Sequence, residues 1–185
     1  MYSSADDFRM TVPQCHSLKP VSTVYSNPWF RIKNRGGYYT MEFTHAQVAI
    51  LPIVSNHSIV MVRVKRPVLA DSPLELPAGN AEELEAPLNA AARELREETG
   101  IIIDDLDRLQ LLAPITNSSR CPILDRIYHI DISQNEFKKR GSHDKEIDCV
   151  ECIPFEEVKN KIIRGEIYTG LTIAIVSRFL FSRIL

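Results

Sequence analysis

Between Gly79 and Ile101 the chain reads Gly79-Asn-Ala-Glu-Glu-Leu-Glu85, seven further residues, and then Arg93-Glu94-Leu95-Arg96-Glu97-Glu98-Thr99-Gly100-Ile101. No other stretch constrains the fold as strongly. Pro87 suits the first turn of a helix and Gly100 a left-handed C-terminal cap. Ala90, Ala91, Ala92, Leu95, Arg93 and Arg96 between them are good helix formers. At about 100° per residue, Leu88, Ala91, Ala92, Leu95 and Thr99 form one stripe that must be buried against something. Glu94 and Glu98 stack along one flank of that stripe, Glu97 lies farther round, and Arg93 sits one turn before Glu97, where the two can pair.

Glu94 and Glu98 are like charges four residues apart, which costs an exposed helix roughly 0.2–0.5 kcal/mol. Beside a buried stripe the repulsion grows, because desolvated carboxylates need partners. Hard divalent cations such as Mg²⁺ accept oxygen ligands, would relieve the repulsion and would grip phosphates as well. Leu76-Pro77-Ala78-Gly79 reads as a sharp turn from strand to loop, able to bring a backbone carbonyl to the same cations. A solvated, salt-bridged helix face is the competing reading for residues 93–98 alone. The fixed glycine and Glu85 upstream favour phosphate chemistry.

A chain of 185 residues is long enough for one domain with a substantial core. Its net charge of −2 provides no basic field for nucleic acid. The N-terminus lacks the profile of a signal peptide, and no apolar run reaches the ~20 residues that span a bilayer. A cytoplasmic protein is expected. Cys149 and Cys152 form a CxxC, but i and i+3 on a strand face opposite ways, so reduced thiols are the reading for all four cysteines, Cys15 and Cys121 included.

Residues 1–20 read as a loose lead-in. Residues 21–25, 29–33 and 38–43 are rich in β-formers, with a hairpin signal at Asn34-Arg-Gly-Gly37. Apolar strands are expected over residues 46–54 and 59–64, joined at Ser55-Asn-His57, and again over 109–115, 123–132 and 147–153. Residues 133–145 are polar and read as a mobile loop. Helices are expected from Pro154 to about Arg164 and from Thr169 onward. Strands interspersed with three helices imply an α/β sheet covered on both faces.

The pattern from Gly79 to Ile101 is the complete signature of the Nudix hydrolases, and the chain resembles that family. Within it, Val62-Arg-Val-Lys-Arg66-Pro, Leu74-Glu75-Leu76-Pro77-Ala78-Gly79 and Glu146-Ile-Asp-Cys-Val are similar to the ADP-ribose and ADP-sugar pyrophosphatases. The N-terminal strands containing Trp29 and the Gly165-Glu166-Ile167 turn add to the likeness. The resemblance implies a Nudix α/β/α sandwich with a mixed central β-sheet. A β-hairpin arm at residues 21–44, a dimer contact in that family, would precede a hydrolase domain over 45–185.

Position by position, the resemblance implies metal ligation by Glu94, Glu98 and the Ala78 carbonyl, with Glu97 ligating or activating water. Glu146 is implied as general base or water-positioning group, with Glu97 as its rival, and Arg93 belongs to the same catalytic constellation. Arg66 would grip a phosphate and Glu75 would orient that arginine or a ribose. The resemblance implies that Trp29 stacks on an adenine, in a homodimer on that of the partner subunit's site, with Glu42 and Phe43 as further base contacts. Two departures stand out. Ala113-Pro114-Ile-Thr-Asn117-Ser-Ser-Arg120 keeps a proline but no glycine where relatives often carry a Ser-Pro-Gly-like turn, and no arginine lies between Phe43 and Ala46. The expected reaction is Mg²⁺-dependent (or Mn²⁺-dependent) cleavage of a nucleoside diphosphate linked to another group, ADP-ribose giving AMP and ribose 5-phosphate. The alternatives are another nucleotide sugar, a dinucleotide, a damaged nucleotide, or a ligand-binding module without turnover.

Overall fold

The computed structural model describes residues 15–183, so the expected lead-in lies, for residues 1–14, outside the described residues. Three strands come first: β1 (Val21–Ser26), β2 (Phe30–Arg35) and β3 (Tyr38–Phe43). They form an antiparallel sheet in that order. Gly36 and Gly37 both take positive φ, and Arg35 pairs with Tyr38 across them. A two-residue turn of this kind matches the twist of the strands it joins. The expected hairpin arm is therefore a three-stranded meander, exposed all along β1.

The central sheet contains β4 (Gln47–Val54), β5 (Ser58–Val64), β6 (Leu74–Glu75), β7 (Ala78–Asn80), β8 (Gln110–Ile115), β9 (Asp125–Ile132) and β10 (Ile147–Pro154). Its main path runs β10-β5-β4-β9-β8. Only β4 and β9 pair in parallel, which makes the sheet mixed. β4 is buried on both faces, which explains its unbroken apolar run from Val48 to Val54. Val48 and Ile50 pack toward α1 (Pro87–Thr99) with Ala91 and Leu95. The alternate residues Ala49, Leu51 and Ile53 join the opposite layer with Val158, Ile175 and Val176. That layer is built from α3 (Phe155–Ile163) and α4 (Gly170–Ser182). The result is the expected α/β/α sandwich.

One expectation fails. Residues 133–145 are not a loop throughout, because α2 spans Gln134–Lys138. Ser133 caps it, accepting from the Glu136 amide while the Glu136 side chain accepts from the Ser133 amide. This reciprocal bonding is a capping box, and its Ser-x-x-Glu spacing is present in the sequence. The helix is short because only Phe137 offers an apolar contact to the core.

A splay between β4 and β5 positions the site. These strands pair only next to their connecting turn, at Ile53–Ile59 and Val54–Ser58. Beyond that they diverge, and β6 takes over pairing with β5 while β7 takes over with β4. The wedge is held by Ile50 N–H donating to the Pro77 carbonyl at 2.8 Å. The turn read from Leu76-Pro77-Ala78-Gly79 thus lies inside the sheet, facing α1.

Candidate active site

Helix α1 starts at Pro87 without a side-chain cap and ends on Gly100, whose φ is +73° and whose N–H bonds the Arg96 carbonyl at 2.8 Å. A Cβ at Gly100 would also strike the Gly141 backbone, so the position has no room for another residue. The segment that crosses there is bound to the helix end. Gly141 N–H donates to the Gly100 carbonyl at 2.7 Å, and Asp144 N–H to the Glu97 carbonyl at 2.8 Å. These bonds satisfy carbonyls that a helix terminus otherwise leaves unpaired. They also bring Glu146 to the acids of α1.

Glu98 is only 4 % exposed, and its Oε2 accepts from the Ala78 amide at 2.9 Å. Burial pushes its carboxyl up to about 8, helped by the charges of Glu94 and Glu146 and opposed by the Ala78 bond. Burial also raises Glu94, against the pull of Arg93. Gly79 lies directly over Glu94, where any Cβ would collide with the carboxyl group. Any side chain here would have to push that carboxyl aside.

Arg93 organises the remaining acids. It binds Glu85 through Nε and Nη2, each at 3.0 Å, and the Asn80 carbonyl through Nη2 at 2.8 Å. Its Nη1 reaches Glu94 at 2.9 Å and Glu97 at 2.8 Å. The hydrogen bonds to Glu85 contribute most to raising the guanidinium pKa, and Glu85 is correspondingly lowered. The helix thus carries three acids of graded exposure, with Glu98 deepest, Glu94 next and Glu97 outermost.

Among the described residues, no three His, Cys, Asp or Glu side chains already stand grouped as a metal cage. The bonding explains this: Arg93 holds Glu94 and Glu97, while the Ala78 amide holds Glu98. Ala78, expected to contribute its carbonyl, contributes its N–H to this network.

Arg66 and Glu75 form a bidentate pair, with Nη2–Oε2 at 2.7 Å and Nε–Oε1 at 3.3 Å. This geometry fixes the guanidinium plane. Glu75, Glu98 and Glu146 all act electrostatically on Arg66, so the four residues share one neighbourhood. Glu146 is exposed, but its carbonyl accepts from Lys65 N–H at 2.9 Å, which anchors its loop to the end of β5.

The arm residues lie elsewhere. Trp29 is 65 % exposed in the turn between β1 and β2. Phe43 pairs with Phe30 at the end of β3 and lines a cavity of about 290 Å³. Glu42 lines the same cavity but is 6 % exposed and bonded to Arg35, Lys33 and Thr40. Burial opposes its ionisation, yet those bonds outweigh it and hold the carboxyl at about 2.

Further polar residues of that cavity escaped the reading of the sequence: Gln47 and Asp125, with Thr44, His45 and Arg126 beside them. A signal existed for Asp125: strand periodicity puts it on the side of Ile127, which is fully buried.

A family model described as NUDIX domain matches residues 43–170. The chain is 31% identical over 133 residues to a "Methanol dehydrogenase activator" of Bacillus methanolicus, covering 70% of this chain and 69% of that protein. It is 30% identical over 130 residues to an "ADP-ribose pyrophosphatase" of Bacillus subtilis (strain 168), covering 68% and 66%. A solved structure described as "Crystal structure of ADP compounds hydrolase" superposes with a TM-score of 0.64 at 18% identity, covering 88% of this chain and 92% of that one. That likeness supports the fold. With its acid signature gathered on α1 and on Glu85 just before it, and two thirds of its length matched, the chain belongs to the Nudix family of pyrophosphohydrolases.

Proposed function

We propose that the protein hydrolyses the pyrophosphate bond of a nucleoside diphosphate linked to a second group, with ADP-ribose or an ADP-sugar as the substrate class and AMP and a sugar phosphate as products. The observation that carries this reading is the desolvated pair Glu94 and Glu98 under Gly79, with Arg66 and Glu146 in electrostatic reach. The relative named as an ADP-ribose pyrophosphatase supports the substrate.

The family generally requires divalent metal ions, and the donor set here fits one. The buried Glu98 and the half-buried Glu94 repel each other and are driven toward protonation, a state that a hard cation would reverse. Glu94, Glu98 and the Ala78 carbonyl would hold Mg²⁺, or Mn²⁺ in its place, with Glu97 joining after release from Arg93. When bound, the metal supplies charge neutralisation on the diphosphate and a lowered pKa for water. Arg93 keeps the carboxylates in place through its bonds to Glu85 and the Asn80 carbonyl. Arg66, its plane fixed by Glu75, grips a phosphate oxygen. Glu146 accepts the proton of the attacking water, and Glu97 is its competitor for that role. Trp29 offers a face for an adenine in a homodimer whose contact is the exposed arm.

The test is release of AMP from ADP-ribose by purified protein with Mg²⁺, compared with Glu98→Gln and Glu97→Gln. Turnover retained in both variants would sink the reading. The relative named as a methanol dehydrogenase activator supports a second one, in which the activity serves a dehydrogenase partner. Adding the protein to a methanol dehydrogenase assay decides it: an unchanged rate removes this reading. A cytoplasmic location goes with the proposal. Among the described residues no helix is long and apolar enough to cross a membrane, and the four cysteines are free.

A further inference from the structure

The cavity under the arm contains two polar atoms with no partner. Asp125 is 3 % exposed, and its Oδ2 has no hydrogen bond among the described residues. Gln47 Nε2 is buried in the same condition. Val48 pairs with Arg126 across the parallel strands β4 and β9, so Gln47 and Asp125 are the neighbouring residues that immediately precede that pair. Both line the cavity, together with the apolar side chains of Phe43, Ala46 and Leu124. Buried acceptors and donors of this kind are costly unless something completes them.

The other acid of the cavity is in the opposite condition. Glu42 has its donors supplied by Arg35, Lys33 and Thr40. It has little left to offer a ligand, whereas Asp125 and Gln47 offer an acceptor and a donor side by side. The cavity also adjoins the acid cluster. Gln47 pairs with Asn80 of β7, whose carbonyl is held by Arg93, and the next residue back, Gly79, covers Glu94. At about 290 Å³ the space is at the small end of ligand pockets, enough for one ring and not for a whole dinucleotide.

We infer that Asp125 and Gln47 are specificity-determining residues, holding one ring of the substrate by a donor–acceptor edge, with Asp125 Oδ2 accepting from its amine or hydroxyl and Gln47 Nε2 donating to the adjacent acceptor. The inference rests on the proposed nucleoside diphosphate substrate. A nucleobase and a sugar share this edge chemistry.

The experiment compares ADP-ribose, its inosine analogue and ADP-glucose as substrates for the native protein, Asp125→Asn and Gln47→Leu, with thermal melts alongside. KM is expected to rise about tenfold in each variant, the size of one lost hydrogen bond to a polar ligand group, with kcat little changed. Collapse of the adenine-over-hypoxanthine preference identifies the base as occupant, and collapse of the ribose-over-glucose preference identifies the sugar. Unchanged KM and unchanged preferences in both variants overturn the inference. So does a melting temperature lowered by several degrees in Asp125→Asn, which would reveal a structural partner for the carboxylate. If the native protein turns over none of the three, the proposed activity fails separately. Calorimetry with adenosine and with ribose then decides the pocket: binding to the native protein that Asp125→Asn loses supports it, and absence of binding overturns it.

Discussion

The acid face of α1 and the cavity between the arm and β9 both bury carboxylates, and they treat them in opposite ways. On and just before α1, each of these acids has a donor from the chain itself: Arg93 for Glu85, Glu94 and Glu97, and the Ala78 amide for Glu98. In the cavity, Asp125 Oδ2 has none among the described residues and burial pushes the carboxyl up to about 7, while Glu42 is held at about 2 by two cations and a hydroxyl. The first region spends its donors keeping like charges together, as a site for cations demands. The second leaves an acceptor open, as a site for a neutral donor group demands.

The largest expected effect breaks the first region. Glu98→Gln keeps an oxygen for the Ala78 amide but loses the charge, and kcat should fall about 10³-fold in an AMP-release assay. The melting temperature of the metal-free protein should hold, because the Glu98 carboxyl is already driven toward its neutral form. Gly79→Ala comes next. Its methyl must displace the Glu94 carboxyl, and a misplacement of that kind costs activity about 100-fold, measurable at saturating Mg²⁺. Arg93→Ala tests the clamp. Four carboxylate and carbonyl partners lose its guanidinium, though Glu97 keeps Arg96 and Glu85 keeps the Glu82 amide, and stability to urea should drop by about 3 kcal/mol.

The smallest effect sharpens the contrast with the cavity. An acid raised from 3.8 to about 7 binds its proton more tightly folded than unfolded. Its contribution is therefore greatest below pH 3.8 and declines as pH rises to about 7. The native protein should lose melting temperature across that interval more steeply than Asp125→Asn, by on the order of 5 °C. Identical slopes would mean that Asp125 finds a partner in solution.

Legibility followed sequence distance. The stripe of Leu88, Ala91 and Leu95, the Gly100 cap, the Arg93–Glu97 pair and the order of strands were readable, because each depends on spacing along one element. The short helix after Ser133 was missed although its capping box was present, because five residues carry too little periodicity to register against a polar background. Glu42 was readable as a candidate near a base, but not as an acid already neutralised, since Arg35 and Lys33 reach it only across the β2–β3 pairing. Asp125 and Gln47 were invisible as a pair for the same reason.

The sequence alone determined that three glutamates and an arginine share one helix downstream of a glycine, with Glu94 and Glu98 on one flank and Glu97 farther round, and with that the family. Backbone geometry fixes such short-range placement without reference to the rest of the chain. Only the tertiary structure decided which of those acids is desolvated, that Glu146 is tethered to the helix end through Gly141 and Asp144, and which polar atoms remain without partners. Burial and pairing depend on what other strands bring alongside, and a sequence of spacings does not contain that information.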